Sequence, residues 1–310
     1  MAGLTDALTR RLPRLPFPYS APSVPGGVEV PEAPPRSGPD YDSDWARRYP
    51  ARLARAALVE TVGRGLVAAL ARPRVSGLDR LDTLADRDQA RVIFAANHHS
   101  HVDTPVLLTA IPDTWRHKLF VGGAADYFFR TRVTSALSAL AIGAIPIERT
   151  KVSRRSADRS AELIDAGWSM LIFPEGGRSP DGWGQPFHGG AAYLALRCGV
   201  PVVPIHLHGT GRILRKGKRW PTPATATITF GAPLVPAPGT NARRLSAAIQ
   251  RAVEALADEA TTDWWSARRR AHGSASPALT GPSAPAWRRA WALGDSGGKR
   301  RRQRRRWPEV

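Results

Sequence analysis

The sequence predicts an α/β fold: a mostly parallel central sheet flanked by helices, with an N-terminal amphipathic helix and disordered termini. Three observations predict it. Short apolar runs alternate with helix-period segments between residues 91 and 260. Two of those runs end in turns crowded with polar side chains, Asn97–Asp103 and Phe173–Ser179. Both ends of the chain are rich in Pro, Gly, Ser or Arg and keep no sustained period.

Residues 1–43 read as a disordered lead-in, punctuated by Pro22, Pro25, Pro31, Pro34, Pro35 and Pro39. From Asp44 to Ala71 the period is helical. Leu53, Ala57, Leu58, Val62, Leu66, Val67 and Leu70 recur at three- and four-residue steps, with Arg52, Arg55 and Arg64 elsewhere on the wheel. Such a helix can lie on a membrane surface or pack on the domain's own sheet. Arg91–Ala96 reads as a buried strand, Pro105–Ile111 and Thr131–Ala141 as helices, and Ala144–Glu148 as a strand bent at Pro146. Arg154–Ala166 is helical and stops at Gly167. Ser169–Phe173 is a strand, Gly190–Cys198 a helix closed by Gly199, and Val202–Leu207 a strand. Thr225–Phe230 alternates Thr with apolar residues, as an edge or one-sided strand does. Asn241–Ala260 is a long helix after a Thr240/Asn241 cap signal. The domain therefore spans 44–265, and 266–310 is a disordered basic tail.

The chain has 310 residues, a net charge of +19 and one cysteine, Cys198. From Ser266 onward there are twelve Lys and Arg against two acids. That excess calls for an anionic partner: a phospholipid surface, a phosphorylated substrate or nucleic acid. The run Lys299–Arg306 is followed by Trp307 but has no interleaved aromatic platform, which argues against specific nucleic-acid reading. A single cysteine excludes an internal disulfide and fits a reducing, intracellular setting. No stretch reaches 18 apolar residues, and Leu4–Phe17 is broken by Asp6, arginines and prolines, so neither a membrane span nor a signal peptide is expected.

The first polar turn offers His98 and Asp103. Five residues is about 140° around a straight helix, so the two meet only if His98 sits on the strand-to-helix turn and Asp103 in the first helical turn. There a carboxylate would fix the imidazole tautomer and raise the basicity of the other ring nitrogen. Alternatively, Ser100 and Asp103 form a capping box. A third reading is a binuclear metallohydrolase built on His99, His101 and Asp103, whose His-x-His-x-Asp spacing would lower the pKa of a bound water. The second turn places Glu175 and Arg178 at a strand's carboxyl edge, where α/β sheets bind ligands, with Gly176 and Gly177 permitting close approach. Arg178 can grip phosphate bidentately. Gly143–Arg149 puts a second guanidinium, Arg149, at another strand end. Val200–Pro204 is a proline-flanked β-branched block suited to packing.

In order and spacing, these blocks resemble the glycerolipid acyltransferase family, typified by 1-acylglycerol-3-phosphate O-acyltransferases. Asn97, His98 and Asp103 match its Asn-His-x-x-x-x-Asp; Gly143–Arg149 its Gly/Ile-rich block ending in Arg; and Phe173–Ser179 its Phe-Pro-Glu-Gly-Thr-Arg-Ser, with Gly177 in place of Thr. Val200–Pro204 matches its Val-Pro-Val-x-Pro, and Phe187–Ala191 its Phe-Lys-x-Gly, with His188 in place of Lys. The resemblance implies that His98 is the general base and Asp103 its orienting partner. Arg149, Glu175, Gly176 and Arg178 would hold the acceptor, usually through its phosphate, and Asn97, Ser100 and Gly177 complete the expected substrate-binding set. It further implies acyl-CoA or acyl carrier protein as co-substrate, a phosphorylated lipid acceptor, no other cofactor and no metal. The enzyme would sit peripherally on the anionic cytoplasmic face of a membrane. Backbone amides near Ser100–Val102 are expected to serve the tetrahedral intermediate. The rival class is a non-catalytic protein that binds anionic lipid or nucleic acid through its tail.

Overall fold

The computed structural model describes residues 37–85, 91–148, 154–215, 217, 219–285 and 287–289. Seven strands form one sheet: β1 (Arg74–Ser76), β2 (Ile93–Ala96), β3 (Leu119–Ala124), β4 (Ala144–Ile147), β5 (Ser169–Ile172), β6 (Val202–His208) and β7 (Thr227–Phe230). Their order is β1-β7-β6-β2-β5-β3-β4. The run from β6 to β4 is parallel, while β7 is antiparallel to β6 and carries β1 beside it in parallel. Ala95 is in register with Ile172 and Ala96 with Ile205, so β2, β5 and β6 end near one another. The polar turns that follow β2 and β5 therefore open on the same edge.

Strand residues alternate between two cores, as the pleat requires. Phe94 and Ala96 face one, with Val106, Leu107 and Trp115; Ile93 and Ala95 face the other, with Leu163, Ile164 and Ala192. The longer helices are α1 (Tyr49–Leu58), α2 (Arg64–Ala71), α3 (Asp103–Ala110), α4 (Arg132–Ile142), α5 (Arg154–Asp165), α6 (Gly190–Cys198), α7 (Ala242–Thr261) and α8 (Trp264–His272). Helix α7 starts at Asn241, whose side chain accepts from the Arg244 amide at 2.8 Å, and buries Leu245, Ile249, Val253 and Leu256. Val200, Val202 and Val203 are buried, as the packing reading of that block expected.

The structure differs from the sequence reading in four places. The expected continuous helix from Asp44 to Ala71 begins with a 3-10 turn, Asp44–Arg47, and its helical part is divided by a wider turn, Val59–Gly63, between α1 and α2. Thr61 there donates its hydroxyl to the Ala57 carbonyl at 2.7 Å, a back-bond of the kind that distorts helices, and Gly63 and Gly65 lower the local helix preference. Strands β1 and β3 are absent from the sequence reading: β1 is only Arg74–Ser76, and the apolar run of β3, Leu119, Phe120 and Val121, is cut short by two glycines. In β3 the cause is Gly122, where an added Cβ would come within 2.6 Å of Ile147 Cδ1; the neighbouring strand's side chain occupies that space. Strand β7, expected as an edge or one-sided strand, is second from the edge, because β1 covers it, and three of its four residues are buried. Finally, the basic tail was expected to begin at 266, but α8 runs through that boundary. Asp263 caps it by accepting from the Ser266 amide at 2.9 Å, and Arg270 donates to Asp258 at 2.6 and 2.7 Å.

Within the expected lead-in, Gly38 donates its amide to Phe129 O at 2.6 Å, and Tyr41 packs on the Phe129 ring at 5.5 Å. The rest of the lead-in, 1–36, and of the tail, 290–310, lies outside the described residues. No helix among the described residues is long and apolar enough to cross a membrane.

Candidate active site

The chain leaves β2 at Asn97, which ties this strand end to β6: its side-chain amide donates to Leu207 O at 2.9 Å and accepts the Leu207 amide at 2.7 Å. His98 follows on the turn, and Asp103 opens α3. The turn brings them together as the catalytic reading required, with His98 Nδ1 lying 2.9 Å from Asp103 Oδ2. The same oxygen accepts the backbone amides of His99 at 2.7 Å and Ser100 at 2.8 Å. Asp103 thus holds the imidazole and the amides of the turn before the helix, while the Ser100–Asp103 capping box does not form: Val102 is the N-cap and carries no side-chain cap bond. Its side chain is fully buried while that of His98 is 18% exposed, so a shielded carboxylate stands behind a reachable ring. With Nδ1–H donated to that carboxylate, Nε2 is left as the basic nitrogen. The ring also stacks on Phe173 at 4.1 Å between centroids and 20° between planes.

Ser100 is buried and serves structure. Its hydroxyl donates to Leu214 O at 2.7 Å and accepts the Val102 amide at 3.3 Å. The amides of Ser100 and Val102 are therefore engaged within the turn, which corrects the expectation that they face a reacting oxygen.

The turn after β5 docks onto the first. Glu175 Oε1 accepts the His98 amide, and Oε2 accepts the Gln185 amide, both at 2.9 Å. The Ser179 amide donates to His98 O at 2.9 Å. Burial pushes the Glu175 carboxyl up to about 7, against the pull of its two amide donors and with the Asp103 charge adding to the rise. Gly176 has φ +69°, and a Cβ there would stand 3.1 Å from His188 Cδ2, so this glycine meets both a left-handed backbone and a close ring. The side chain of Gln185 donates to Gly177 O at 3.2 Å and Arg178 O at 3.3 Å.

Arg178 lies with its guanidinium carbon 5.6 Å above the Tyr127 ring centroid. Tyr127 in turn stacks on His101 at 5.3 Å and shares a 3.0 Å hydrogen bond with His101 Nε2. Burial holds the His101 pKa below its usual value, and the charges of Arg178 and His98 add to the lowering. The described site thus joins Asn97, His98, Ser100, Asp103, Glu175, Gly176, Gly177 and Arg178. Arg149 lies outside the described residues. Tyr127 and Gln185 were missed. Neither stands in a motif, and only the end of β3 and the course of the second loop bring them in.

The metallohydrolase reading does not fit this arrangement. Asp103 turns to His98 and His101 to Tyr127, while His99 Nε2 is buried without a partner. Among the described residues no group of three or more His, Cys, Asp or Glu is placed to hold a metal ion.

A mostly parallel α/β sheet thus brings an oriented His98–Asp103 pair and an arginine-bearing turn to one edge. Residues 72–208 match the model of the Acyltransferase family. The curated relatives are 1-acyl-sn-glycerol-3-phosphate acyltransferases. The chloroplastic protein of Brassica napus is 31% identical over 150 residues, 46% of this chain and 39% of that protein. The chloroplastic protein of Arabidopsis thaliana is 32% identical over 149 residues, 45% of this chain and 38% of that protein. This chain therefore spans about two fifths of the length of those relatives. The solved 1-acyl-sn-glycerophosphate acyltransferase PlsC of Thermotoga maritima shares the fold, with a TM-score of 0.54 at 22% identity, covering 72% of this chain and 84% of that one.

Proposed function

We propose that this protein transfers a fatty acyl group from acyl-CoA or acyl carrier protein to a hydroxyl of a lysophospholipid-like acceptor, of which 1-acylglycerol-3-phosphate is the model. One observation carries the reading: His98 is held at 2.9 Å by a fully buried Asp103 that two backbone amides also fix. That arrangement is a base with its tautomer set. His98 Nε2 takes the proton of the acceptor hydroxyl as the oxygen attacks the thioester carbonyl, and Asp103 stabilises the imidazolium that forms. The tetrahedral intermediate collapses, the C–S bond breaks, and the proton passes from His98 to the leaving thiolate. No covalent acyl-enzyme and no cofactor beyond the donor enter this scheme.

Arg178, displayed over Tyr127 beside the base, binds the acceptor phosphate. Glu175 keeps both turns in register through its two amide contacts. The relatives' printed names, all 1-acyl-sn-glycerol-3-phosphate acyltransferases, support the choice of acceptor. A peripheral position on an anionic cytoplasmic membrane face is part of this reading. Leu53, Val62 and Leu66 on the N-terminal helical segment are 58%, 53% and 57% exposed, an apolar face available to lipid. The test is a screen of the purified protein with acyl-CoA and acyl carrier protein donors against lysophosphatidic acid, glycerol phosphate and glycolipid acceptors. Transfer onto lysophosphatidic acid supports the proposal. Turnover confined to an unphosphorylated acceptor would overturn the role given to Arg178.

A further inference from the structure

The loop that links Arg178 to α6 is clasped from outside by the segment after α8. Gly184 donates its amide to Leu279 O at 2.9 Å, and the Trp183 indole donates to Arg289 O at 2.9 Å. The Arg289 guanidinium pairs with Asp181 at 2.8 Å and also reaches Pro282 O at 3.2 Å. Gly281, at φ +68°, lies flat on the Trp183 ring: a Cβ there would be 2.3 Å from Cδ2. Helix α7 backs the assembly. Gln250 accepts the Phe187 amide at 3.1 Å, while Glu254 accepts from the Gln250 side chain at 3.0 Å and from the Leu279 amide at 3.4 Å. These contacts converge on the stretch whose next residue, Gln185, holds Glu175 Oε2 and the carbonyls of Gly177 and Arg178. The clasping residues lie beyond the family-matched segment, which ends at 208.

We propose that the segment carrying Leu279, Gly281 and Arg289 is a strap that positions the acceptor-binding loop, with Arg289 and Asp181 as its clasp. The proposal rests on the acceptor reading of Arg178 given above. The strap touches neither His98 nor Asp103, so it acts on acceptor affinity and leaves the donor and the proton transfer alone. It is built with one glycine that the indole requires and one ion pair that is 23% and 29% exposed.

The experiment uses the full chain with Arg289→Ala, Arg289→Lys and Gly281→Val. Two readouts are taken: hydrogen exchange at the amides of Gly182 and Gln185, and the separate KM values for acceptor and donor. Arg289→Ala is expected to raise acceptor KM about two- to fivefold, the range that a part-exposed ion pair supplies. Gly281→Val should raise it further, because it strains the backbone as well as lifting the strap. Both should speed exchange at Gly182 and Gln185 and leave donor KM and exchange in α5 unchanged. Arg289→Lys should restore part of each effect. Unchanged exchange, or faster exchange with an unchanged acceptor KM, overturns the positioning role; so does a loss shared equally by donor and acceptor. Should the wild-type chain transfer acyl groups to no acceptor, the functional proposal fails by itself, and the exchange data alone still decide whether the strap orders the loop.

Discussion

In the turn after β2 the His98–Asp103 pair is set by contacts three to five residues apart, whereas the carboxylate of the turn after β5 and the loop that follows it depend on partners far away in sequence. In the first, Asp103 gathers His98, His99 and Ser100 from three to five residues away. In the second, Glu175 reaches 77 residues back to His98, Trp183 reaches 106 residues forward to Arg289, and Gln185 supplies the local stitches. Under the proposed acyl transfer, the difference separates two tasks. A base must be in place before the substrate arrives, and short-range hydrogen bonds set its geometry as the strand end forms. An acceptor site can be tuned from distant parts of the chain, so changes there should alter affinity more than rate.

The first way to break this contrast carries the largest effect. Asp103→Asn keeps the shape but loses the charge that orients and stabilises the imidazolium, so kcat should fall by about 10²–10⁴ with little change in either KM. Steady-state kinetics would show it, and a loss confined to KM would place Asp103 in binding instead.

The second way acts on stability. The Glu175 carboxyl is raised to about 7 in the folded chain from 4.5. Between those values the folded state keeps a proton that the unfolded state has released. Its contribution is therefore complete below the lower value and is lost as pH rises through the upper one. The change is about 3 kcal/mol. Wild-type Tm should fall relative to that of Glu175→Gln between about pH 5 and about pH 8. Parallel Tm curves would show that the carboxylate is not penalised where it sits.

Arg178→Ala gives a smaller effect and sharpens the contrast. Acceptor KM should rise about tenfold, the scale of one charge-assisted hydrogen bond, with kcat nearly kept. Arg178→Lys should recover only part, lacking the forked geometry. A rise in donor KM instead would assign the guanidinium to the donor.

The smallest effect on turnover belongs to the basic end. Removing Lys299–Val310 should leave turnover of a soluble short-chain substrate intact. It should weaken binding to anionic vesicles, chiefly at low salt, because each basic residue near such a surface contributes about 1 kcal/mol. Co-sedimentation across a salt series checks it; equal binding of both forms at every salt concentration would remove the tail from membrane attachment.

The two turns also explain what could be read in advance. His98 and Asp103 were legible because their partnership is local: a strand end, a five-residue spacing and a helix start determine it. The parallel core was legible from strands such as Ile93–Ala96, buried on both faces. Strand β3 was not, because Gly122 and Gly123 carry no hydrophobic signal; their reason is the nearness of β4. The strap was hidden for the same kind of reason. Ser, Pro and Gly after His272 have the composition of a disordered tail, and only their fit to Trp183 and Asp181, about a hundred residues away in sequence, gives them a fixed course. Tyr127 became visible only when the end of β3 set it under Arg178.

The central claim is that His98 is the base for acyl transfer. The most direct measurement is the turnover of His98→Ala at saturating donor and saturating lysophosphatidic acid, beside wild type, with exchange protection of α3 and β2 confirming that the fold is kept. The account predicts a fall of about 10²–10⁴ in kcat with Arg178-dependent acceptor binding still present. Turnover close to wild type in a folded His98→Ala variant would contradict it.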